Sequence, residues 1–551
     1  MKTKILLIGI NARYTHSNLA IRYLRNSIQN LNFETQIVEY SINQNSLDIL
    51  QDIYFRKPDI IAFSVYIWNS ELIKILLPEI KKILAECKLI LGGPEVSFNS
   101  QEWLKNFPQI DYIITGYGEA GFRFLAENDF ESDQKIISKL NQHFNQIPFP
   151  YLEEDFPEME HKYIYYESSR GCSFKCSYCL SSRSDQKLEF RSLEQVKTEL
   201  NWLLERNPKI IKFVDRTFNI KPDFSKVIWK FLIEKDTNAK FHFEIHPELL
   251  QNEDFEILEK CPADRFQFEI GIQSTNSKTL EAIHRKQNWE KIKSNIGRLN
   301  EMGNIHLHVD LIAGLPFEDR QNLIKSFNDI ISLNADHFQV GFLKVLPGTE
   351  MQEKTEEFKL VYQQHPPYQV LKTKWLSLED LFEFQQIEKL VNSIYNSENF
   401  CTTYSQLITE FSSPFQFFRT LLKFCIDQNF DLNKRDWQNV AENILTFVTN
   451  ELSASINFST DCLQWDWCQI ASGHHYPIFL NSGKIKEWKV VGQELLKTWN
   501  NENEPFQSSQ LKRTIYFKPS SKKLINKLKL KNSIYAFVPV QNKKEIIELV
   551  T

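Results

Sequence analysis

Cys172, Cys176 and Cys179 stand within eight residues, in Gly-Cys-Ser-Phe-Lys-Cys-Ser-Tyr-Cys. Three thiolates at this CxxxCxxC spacing, on one tight loop, can hold three irons of a cubane cluster. No fourth cysteine lies nearby in sequence to take the fourth iron. An iron without a protein ligand is an open coordination site, which suits chemistry better than passive electron storage. The competing reading is three structural thiols, but free cysteines scatter along most chains and do not gather at this spacing.

The run resembles the signature of the radical S-adenosylmethionine (SAM) superfamily, in which an aromatic residue precedes the last cysteine; Tyr178 fills that place. The resemblance implies that Cys172, Cys176 and Cys179 ligate a 4Fe-4S cluster and that Tyr178 lies near the adenine. It also implies that the open iron binds SAM, and that one electron cleaves SAM to a 5′-deoxyadenosyl radical. An electron donor such as flavodoxin or ferredoxin is then expected.

Residues 161–375 supply elements to position such a loop. Six strand–helix units begin at Tyr163–Ser168, Ile210–Val214, Lys240–Ile245, Arg265–Ile270, His306–Ile312 and His337–Leu343. This pattern predicts a partial (βα)6 barrel of TIM type, with its chemistry at the carboxyl ends of the strands. The polar motifs fall at those ends. Asp215 follows the second strand, where a carboxylate could hold the SAM ammonium; pairing with Arg216 or capping the next helix are the alternatives. His246, after the third strand, could face the substrate or be structural. Glu269-Ile-Gly-Ile-Gln-Ser274 resembles the Glu-x-Gly-x-Gln-Ser strand of the coproporphyrinogen-dehydrogenase-like and cobalamin-dependent groups, which implies Glu269 and Gln273 near SAM. Asp310-Leu-Ile-Ala-Gly-Leu-Pro-Phe-Glu318 resembles their Asp-x-x-x-Gly-Leu-Pro-x-Glu motif, which implies Gly314 near the adenine and a structural Asp310. Leu343-Lys-Val-Leu-Pro-Gly-Thr349 resembles the sequence that closes these barrels.

Residues 1–127 alternate short apolar runs with amphipathic stretches, which predicts a doubly wound, flavodoxin-like parallel sheet in an α/β protein. Ligands bind such sheets at the carboxyl ends of the strands. The loops there, 11–18, 64–69 and 92–97, resemble those of the cobalamin-binding domain that precedes many radical SAM barrels. Ser64, Gly92 and Gly93 match its serine and paired glycines, and His16 is the candidate lower axial ligand. The usual Asp-x-His-x-x-Gly loop is incomplete, with Tyr14 and Leu19 where Asp and Gly belong. Gly116-Tyr-Gly-Glu119 reads as a turn and helix start.

Residues 128–160 are acidic and contain proline, which predicts a linker. Residues 376–551 predict a mostly helical α+β extension, resembling an uncharacterised extension of one such subfamily. Cys462 and Cys468, with His474 and His475 nearby, fit no zinc template well and read as structural. The basic run 522–531 is a solvated helix face or a contact for nucleic acid or an acidic carrier.

The 551 residues carry a net charge of −5, which gives no global case for nucleic acid. No run of 18 apolar residues exists, so no membrane span is expected. Nine cysteines, an odd number, fit a reducing cytoplasm. The resemblance implies methylation of an unactivated carbon with SAM and cobalamin. A radical rearrangement or cyclisation, an RNA methylthiotransferase and a cobalamin sensor are the rivals. Methylthiotransferases usually need extra cysteines before the barrel, and only Cys87 lies upstream.

Overall fold

The computed structural model describes residues 2–138, 142–182, 187–452, 456–471, 477–483, 488–499, 508–540 and 543–549; His474 and His475 lie outside them. The chain forms two compact units. One comprises 1–326, 333–335 and 339–381, the other 327–332, 336–338 and 382–551.

The first unit opens with strands β1 (Lys4–Asn11), β2 (Glu34–Ser41), β3 (Ile60–Ser64), β4 (Lys88–Gly92), β5 (Tyr112–Ile114) and β6 (Ile136–Ile137). They pair in parallel in the order β2-β1-β3-β4-β5-β6. Helices cover both faces, so the strands bury both faces and read as unbroken apolar runs. In β1, Leu6, Ile8 and Ile10 enter one core with Ile73, Leu76, Leu77 and Ile80 of helix Ser70–Ile83. Ile5 and Leu7 enter the opposite core with Phe122 and Leu125 of helix Gly118–Glu127. Strand order reverses between β1 and β3, which opens a crevice outside their carboxyl ends. The sixth strand falls within the stretch read as linker.

The barrel follows. β7 (Ile164–Tyr166), β10 (Ile210–Phe213), β11 (Lys240–Glu244), β12 (Phe266–Gln273), β13 (Ile305–Ala313) and β14 (His337–Phe342) form a six-stranded sheet in that order. Two short strands, β8 (Ser169–Arg170) and β9 (Glu189–Phe190), pair antiparallel outside it. Alternation along the sheet sorts the side chains by face. Phe243 and Phe268 are fully buried beneath Trp229 of helix Pro222–Ile233. The intervening Gln267, Glu269, His306, His308 and Asp310 face the lumen.

The second unit is mostly helical, with β17 (Ile515–Phe517), β18 (Ile534–Val540) and β19 (Lys543–Leu549) in an antiparallel sheet. A shorter pair, β15 (Val361–Tyr362) and β16 (Val370–Lys372), belongs to the first unit. Cys462 and Cys468 are fully buried in helix Ile456–Ile470, in one core with Ile515, Phe517 and Phe537. Their packing is that of small core hydrophobes. Asp466 of the same helix accepts from the Thr402 and Thr403 amides at 3.0 and 2.8 Å, at the start of helix Cys401–Leu407. Of the basic run, Leu524 is buried and Lys531 pairs with Glu548 at 3.0 Å. Among the described residues no helix is long and apolar enough to cross a membrane.

Buried ion pairs fasten the first sheet to the segment that leads into the barrel. Arg22 grips Glu39 through both terminal nitrogens at 3.1 and 3.2 Å, and Lys162 reaches the same carboxylate at 2.9 Å. Arg25 holds Asp155 through two bonds of 2.8 and 2.7 Å. Burial alone would raise the Glu39 carboxyl; Arg22 and then Lys162 overcome it and hold the group down at about 2. A carboxyl depressed in the folded state contributes stability above its unfolded value and loses it as pH falls. Stability is therefore expected to drop between about pH 4.5 and 2. Glu39→Gln should cost about 3–5 kcal/mol at neutral pH, because it leaves buried Lys162 without its carboxylate and Arg22 with Asp155 at 3.5 Å, and should flatten that acid limb. Urea unfolding against pH measures both effects.

Candidate cofactor sites

Gly171 opens the cysteine loop at φ +92°, and a Cβ there would lie 2.6 Å from the Lys187 carbonyl oxygen, so the position demands glycine. The β8–β9 pairing holds the ends of the loop together. Inside it, the Cys179 amide donates to the Cys176 carbonyl at 3.1 Å, and the Ser177 amide to the Ile283 carbonyl at 3.2 Å. Cys176 is buried; Cys172 and Cys179 are half-buried. Arg285 places Nη1 3.8 Å from the Cys176 sulfur, while its Nη2 donates to the Gly271 carbonyl. Burial pushes the Cys172 and Cys176 thiols up, and Arg285 opposes this at Cys176. Tyr178 sits beside the same sulfur, its phenol raised by burial. Among the described residues no three His, Cys, Asp or Glu side chains converge on a single ion. A cubane asks for no such convergence, since each thiolate takes a different iron.

Asp215 braces the approach to the loop. Its carboxylate is fully buried and accepts from the Ser168 amide at 3.1 Å, the Ser168 hydroxyl at 2.6 Å and the Ser169 hydroxyl at 2.5 Å. Burial pushes this carboxyl up to about 6 against those three bonds. The chain's own serines thus occupy the group expected to meet SAM. Arg216 turns instead to Glu244, at 3.9 Å.

Arg170 ties the loop to the first sheet. It donates to Glu119 at 2.9 Å and to Glu167 at 2.9 and 2.8 Å, and Tyr117 lies under its guanidinium at 4.5 Å. Glu119, expected only to start a helix, therefore reaches within two residues of Cys172.

The carboxyl edge of the first sheet carries exposed aromatic side chains: Tyr14 after β1, Trp68 after β3 and Tyr117 after β5. Trp68 stacks on Tyr66 at 4.4 Å and donates to the Ile10 carbonyl at 3.1 Å. An apolar rim at a switch point fits a large flat ligand. Ser64 ends β3, buried, with Tyr66 hydrogen-bonded to it. Gly93, at φ +107°, brings its backbone so close to Val65 that a Cβ would stand 2.5 Å from the carbonyl oxygen; Gly92 has ordinary space. His16 meets the barrel. Its Nδ1 lies 2.5 Å from the Tyr165 hydroxyl, and its ring packs on Tyr163 and Tyr165 of the barrel.

The barrel lumen has two characters. In the lower part His242 binds Glu269 at 3.0 Å and Gln267 at 3.3 Å, and Gln267 lies 2.6 Å from His308. The His242 contact holds the Glu269 carboxyl below its usual value. Higher up, nearer the cysteine loop, polar atoms lack partners. Both ring nitrogens of buried His246 and the Oε1 of Gln273 are orphaned. The ring of His246 stacks on Phe174 of the cysteine loop at 5.2 Å. Orphaned buried polar atoms signal a missing ligand; Gln273, beside the cysteine loop, fits SAM, and His246 a ligand in the same lumen. Gly271 makes room for Gln273, whose Nε2 would stand 2.2 Å from any Cβ there. Gly314, at φ +93°, packs against Val370. Glu318 is fully buried, accepts from Ser274 at 2.6 Å and Ser326 at 2.9 Å, and is pushed up to about 7 by burial.

The structure thus gathers the three cysteines, Tyr178, Glu269 and Gln273 around one lumen, and Ser64 and Gly93 at the aromatic edge. It places His16 against Tyr165, Asp215 against two serines and Gly314 against Val370. Sequence reading missed Arg285 and Arg170, which no motif marks, and gave Glu244, in the strand-end run Glu244-Ile-His-Pro247, no role.

Comparison with known proteins finds three family models along the chain. Residues 5–126 match the B12 binding domain, 166–330 the radical SAM superfamily, and 356–545 a protein of unknown function, DUF4080. The cobalamin-dependent radical SAM methyltransferase TokK of Streptomyces tokunonensis is 22% identical over 343 residues, 55% of this chain and 50% of that one. The 2-(S-pantetheinyl)-carbapenam-3-carboxylate methyltransferase of Streptantibioticus cattleyicolor is 23% identical over 332 residues, 53% of this chain and 47% of that one. The tRNA-2-methylthio-N(6)-dimethylallyladenosine synthase of Thermodesulfovibrio yellowstonii is 23% identical over 263 residues, 47% of this chain and 59% of that one. The chain spans about half the length of these relatives. Among solved structures, the cobalamin-dependent SAM radical enzyme OxsB with aqua-cobalamin bound superposes with TM-score 0.61 at 13% identity, over 85% of this chain and 84% of that one. The radical SAM methyltransferase TsrM of Kitasatospora setae, with cobalamin and a [4Fe-4S] cluster, gives TM-score 0.55 at 15% identity, over 67% of this chain and 79% of that one. At these identities the structures establish the fold. A radical SAM domain implies a 4Fe-4S cluster and SAM, and a B12 binding domain implies cobalamin. The chain is a radical SAM protein with an N-terminal B12-binding domain and a C-terminal DUF4080 extension.

Proposed function

We propose that the protein is a cobalamin-dependent radical SAM methyltransferase that acts on an unactivated carbon. The observation that carries this is the Arg170–Glu119 bridge, which joins the residue two before Cys172 to the sheet bearing the aromatic rim. When bound, the cluster with SAM supplies a hydrogen-abstracting radical, and cobalamin supplies a methyl group. The chain's own part is to hold and enclose. Cys172, Cys176 and Cys179 would ligate three irons. Tyr178, Gln273 and Glu269 line the space for SAM, with Arg285 bonded to the Cys176 sulfur. Asp215 fixes the strand end from which the loop departs. Ser64, Gly92 and Gly93 would flank the cobalamin tail, under the Tyr66–Trp68 stack. A flavodoxin or ferredoxin in a reducing cytoplasm would supply the electron.

A methylthiotransferase reading is disfavoured by Cys87. It is buried in the first core, its thiol pushed up to about 12 by burial, a poor setting for a second cluster.

The test is anaerobic. Cluster-reconstituted protein is mixed with hydroxocobalamin and freed of excess, then reduced with SAM present. Retained cobalamin with both 5′-deoxyadenosine and S-adenosylhomocysteine is expected. Deoxyadenosine without retained cobalamin would overturn the methyl-transfer reading. Cys176→Ala should abolish the cluster absorbance and deoxyadenosine together.

With the His16 ring packed on Tyr163 and Tyr165 and bonded through Nδ1, its role is that of a wall contact, and His16→Ala is expected to leave the absorption spectrum of bound cobalamin unchanged. A shifted spectrum would make this imidazole the lower axial ligand after all.

A further inference from the structure

The upper lumen holds two carboxyl groups for which the chain itself supplies little pairing. Asp310 faces Gly271 across the β12–β13 pairing, one step above the His308–Glu269 pair. Glu244 faces Glu269 across the β11–β12 pairing. Among the described residues no hydrogen bond or ion pair reaches the Asp310 carboxylate, and Glu244 has only Arg216, at 3.9 Å. The side chains of Glu244 and Glu269 are each 37% exposed. They stand on interior strands whose outward residues, Phe243 and Phe268, are fully buried. That exposure therefore opens into the lumen.

The bases that face this space are otherwise engaged. His242 binds Glu269, Lys212 lies over the Tyr163 ring at 4.8 Å, and Arg285 spans Cys176 and Gly271. Burial and the neighbouring carboxylates Glu269 and Glu244 push the Asp310 carboxyl well above its usual range. Burial pushes Glu244 up to about 7 even with Arg216 beside it. Among the described residues Asp310 has no ion-pair partner, and Glu244 has only the long contact to Arg216.

His246 points independently to a ligand. It is 5% exposed, and neither ring nitrogen has a partner. Strand alternation puts it on the lumen side with His242 and Glu244. Its backbone is fixed by Asn219, which accepts from the His246 amide at 2.9 Å and donates to its carbonyl at 3.0 Å. A buried, rigidly held, unsatisfied imidazole above one unpaired acid and one weakly paired acid is a built recognition surface.

We propose that the upper lumen seats the substrate by a protonated nitrogen held between Asp310 and Glu244, with His246 hydrogen-bonding a neighbouring polar group of the same molecule. This rests on reading the barrel as the reaction chamber and names the class of substrate, an amine. SAM also carries an ammonium group, so the same chemistry has two sources, which the experiment separates.

The probe is n-propylammonium chloride, with n-propanol as its neutral isostere. Binding to the cobalamin- and cluster-loaded protein, SAM present and no reductant, is followed by saturation-transfer NMR. SAM affinity is measured in parallel by equilibrium dialysis. So small a cation is expected to bind in the millimolar range, and the alcohol at least tenfold more weakly. Asp310→Asn and Glu244→Gln, checked for intact cluster absorbance, should each weaken the amine tenfold or more and leave SAM affinity within a factor of two. The proposal is overturned if the amine fails to bind, if it binds the variants as well as the parent, or if the variants lose SAM affinity instead, which would assign the carboxylates to SAM. The measurement needs neither reduction nor methyl transfer. Failure of the methyltransferase reading would therefore appear in the product assay and leave amine binding intact.

Discussion

The guanidinium of Arg170 sits between Glu119 of the first sheet's last helix and Glu167 at the end of β7, with aromatic faces around it. The three groups are nearly solvent-free, so the charges screen one another at contact and are not screened by water. Arginine suits this place because a planar fork can serve two carboxylates at once, which a lysine point charge cannot. Since Gly171 and Cys172 follow directly, the position of the cysteine loop against the aromatic edge is set by one residue's geometry. Asp215 performs the matching task from inside the barrel by holding Ser168 and Ser169.

Polar groups in the barrel follow a gradient. Toward the amino ends of the strands, His242, Gln267, Glu269 and His308 satisfy one another, and the lumen behaves as a hydrogen-bonded core. Toward the carboxyl ends, the partners run out at His246, Gln273 and Asp310. A folded chain tolerates unsatisfied groups only where something else completes them. Glycine marks the same boundary. Gly271 yields its side-chain space to Gln273, which itself takes a left-handed φ of +72° at a bulge in β12.

Much of this was legible in the chain because the informative residues are neighbours in sequence. The cysteine spacing, the apolar runs of β1, β3 and β4, and the motifs at strand ends all declare themselves within ten residues. The order of domains follows from them. Long-range pairings stayed hidden. Arg170 meets Glu119 across 51 positions, Arg285 meets Cys176 across 109, and Tyr368 meets Glu95 across 273. The His16 contact stayed hidden for the same reason, since its partner Tyr165 lies 149 positions away. Ile136–Ile137 is too short to stand out from the acidic stretch around it, and becomes a strand only through its pairing with β5.

The turn at Gly348 has a consequence for how the chain comes together. A Cβ there would collide with the Phe98 ring at 2.3 Å, so the last turn of the barrel is shaped to the loop after β4, and Tyr368 bonds Glu95 nearby. Contacts of such separation form late, because loop closure must precede them. The first sheet can assemble as its residues leave the ribosome, since its own pairings are local in comparison. Its ligand-facing rim gains its last supports only after some 370 residues have been made. Synthesis therefore finishes the scaffold of the first domain well before its binding edge, and a nascent chain presents that edge incomplete until the barrel closes.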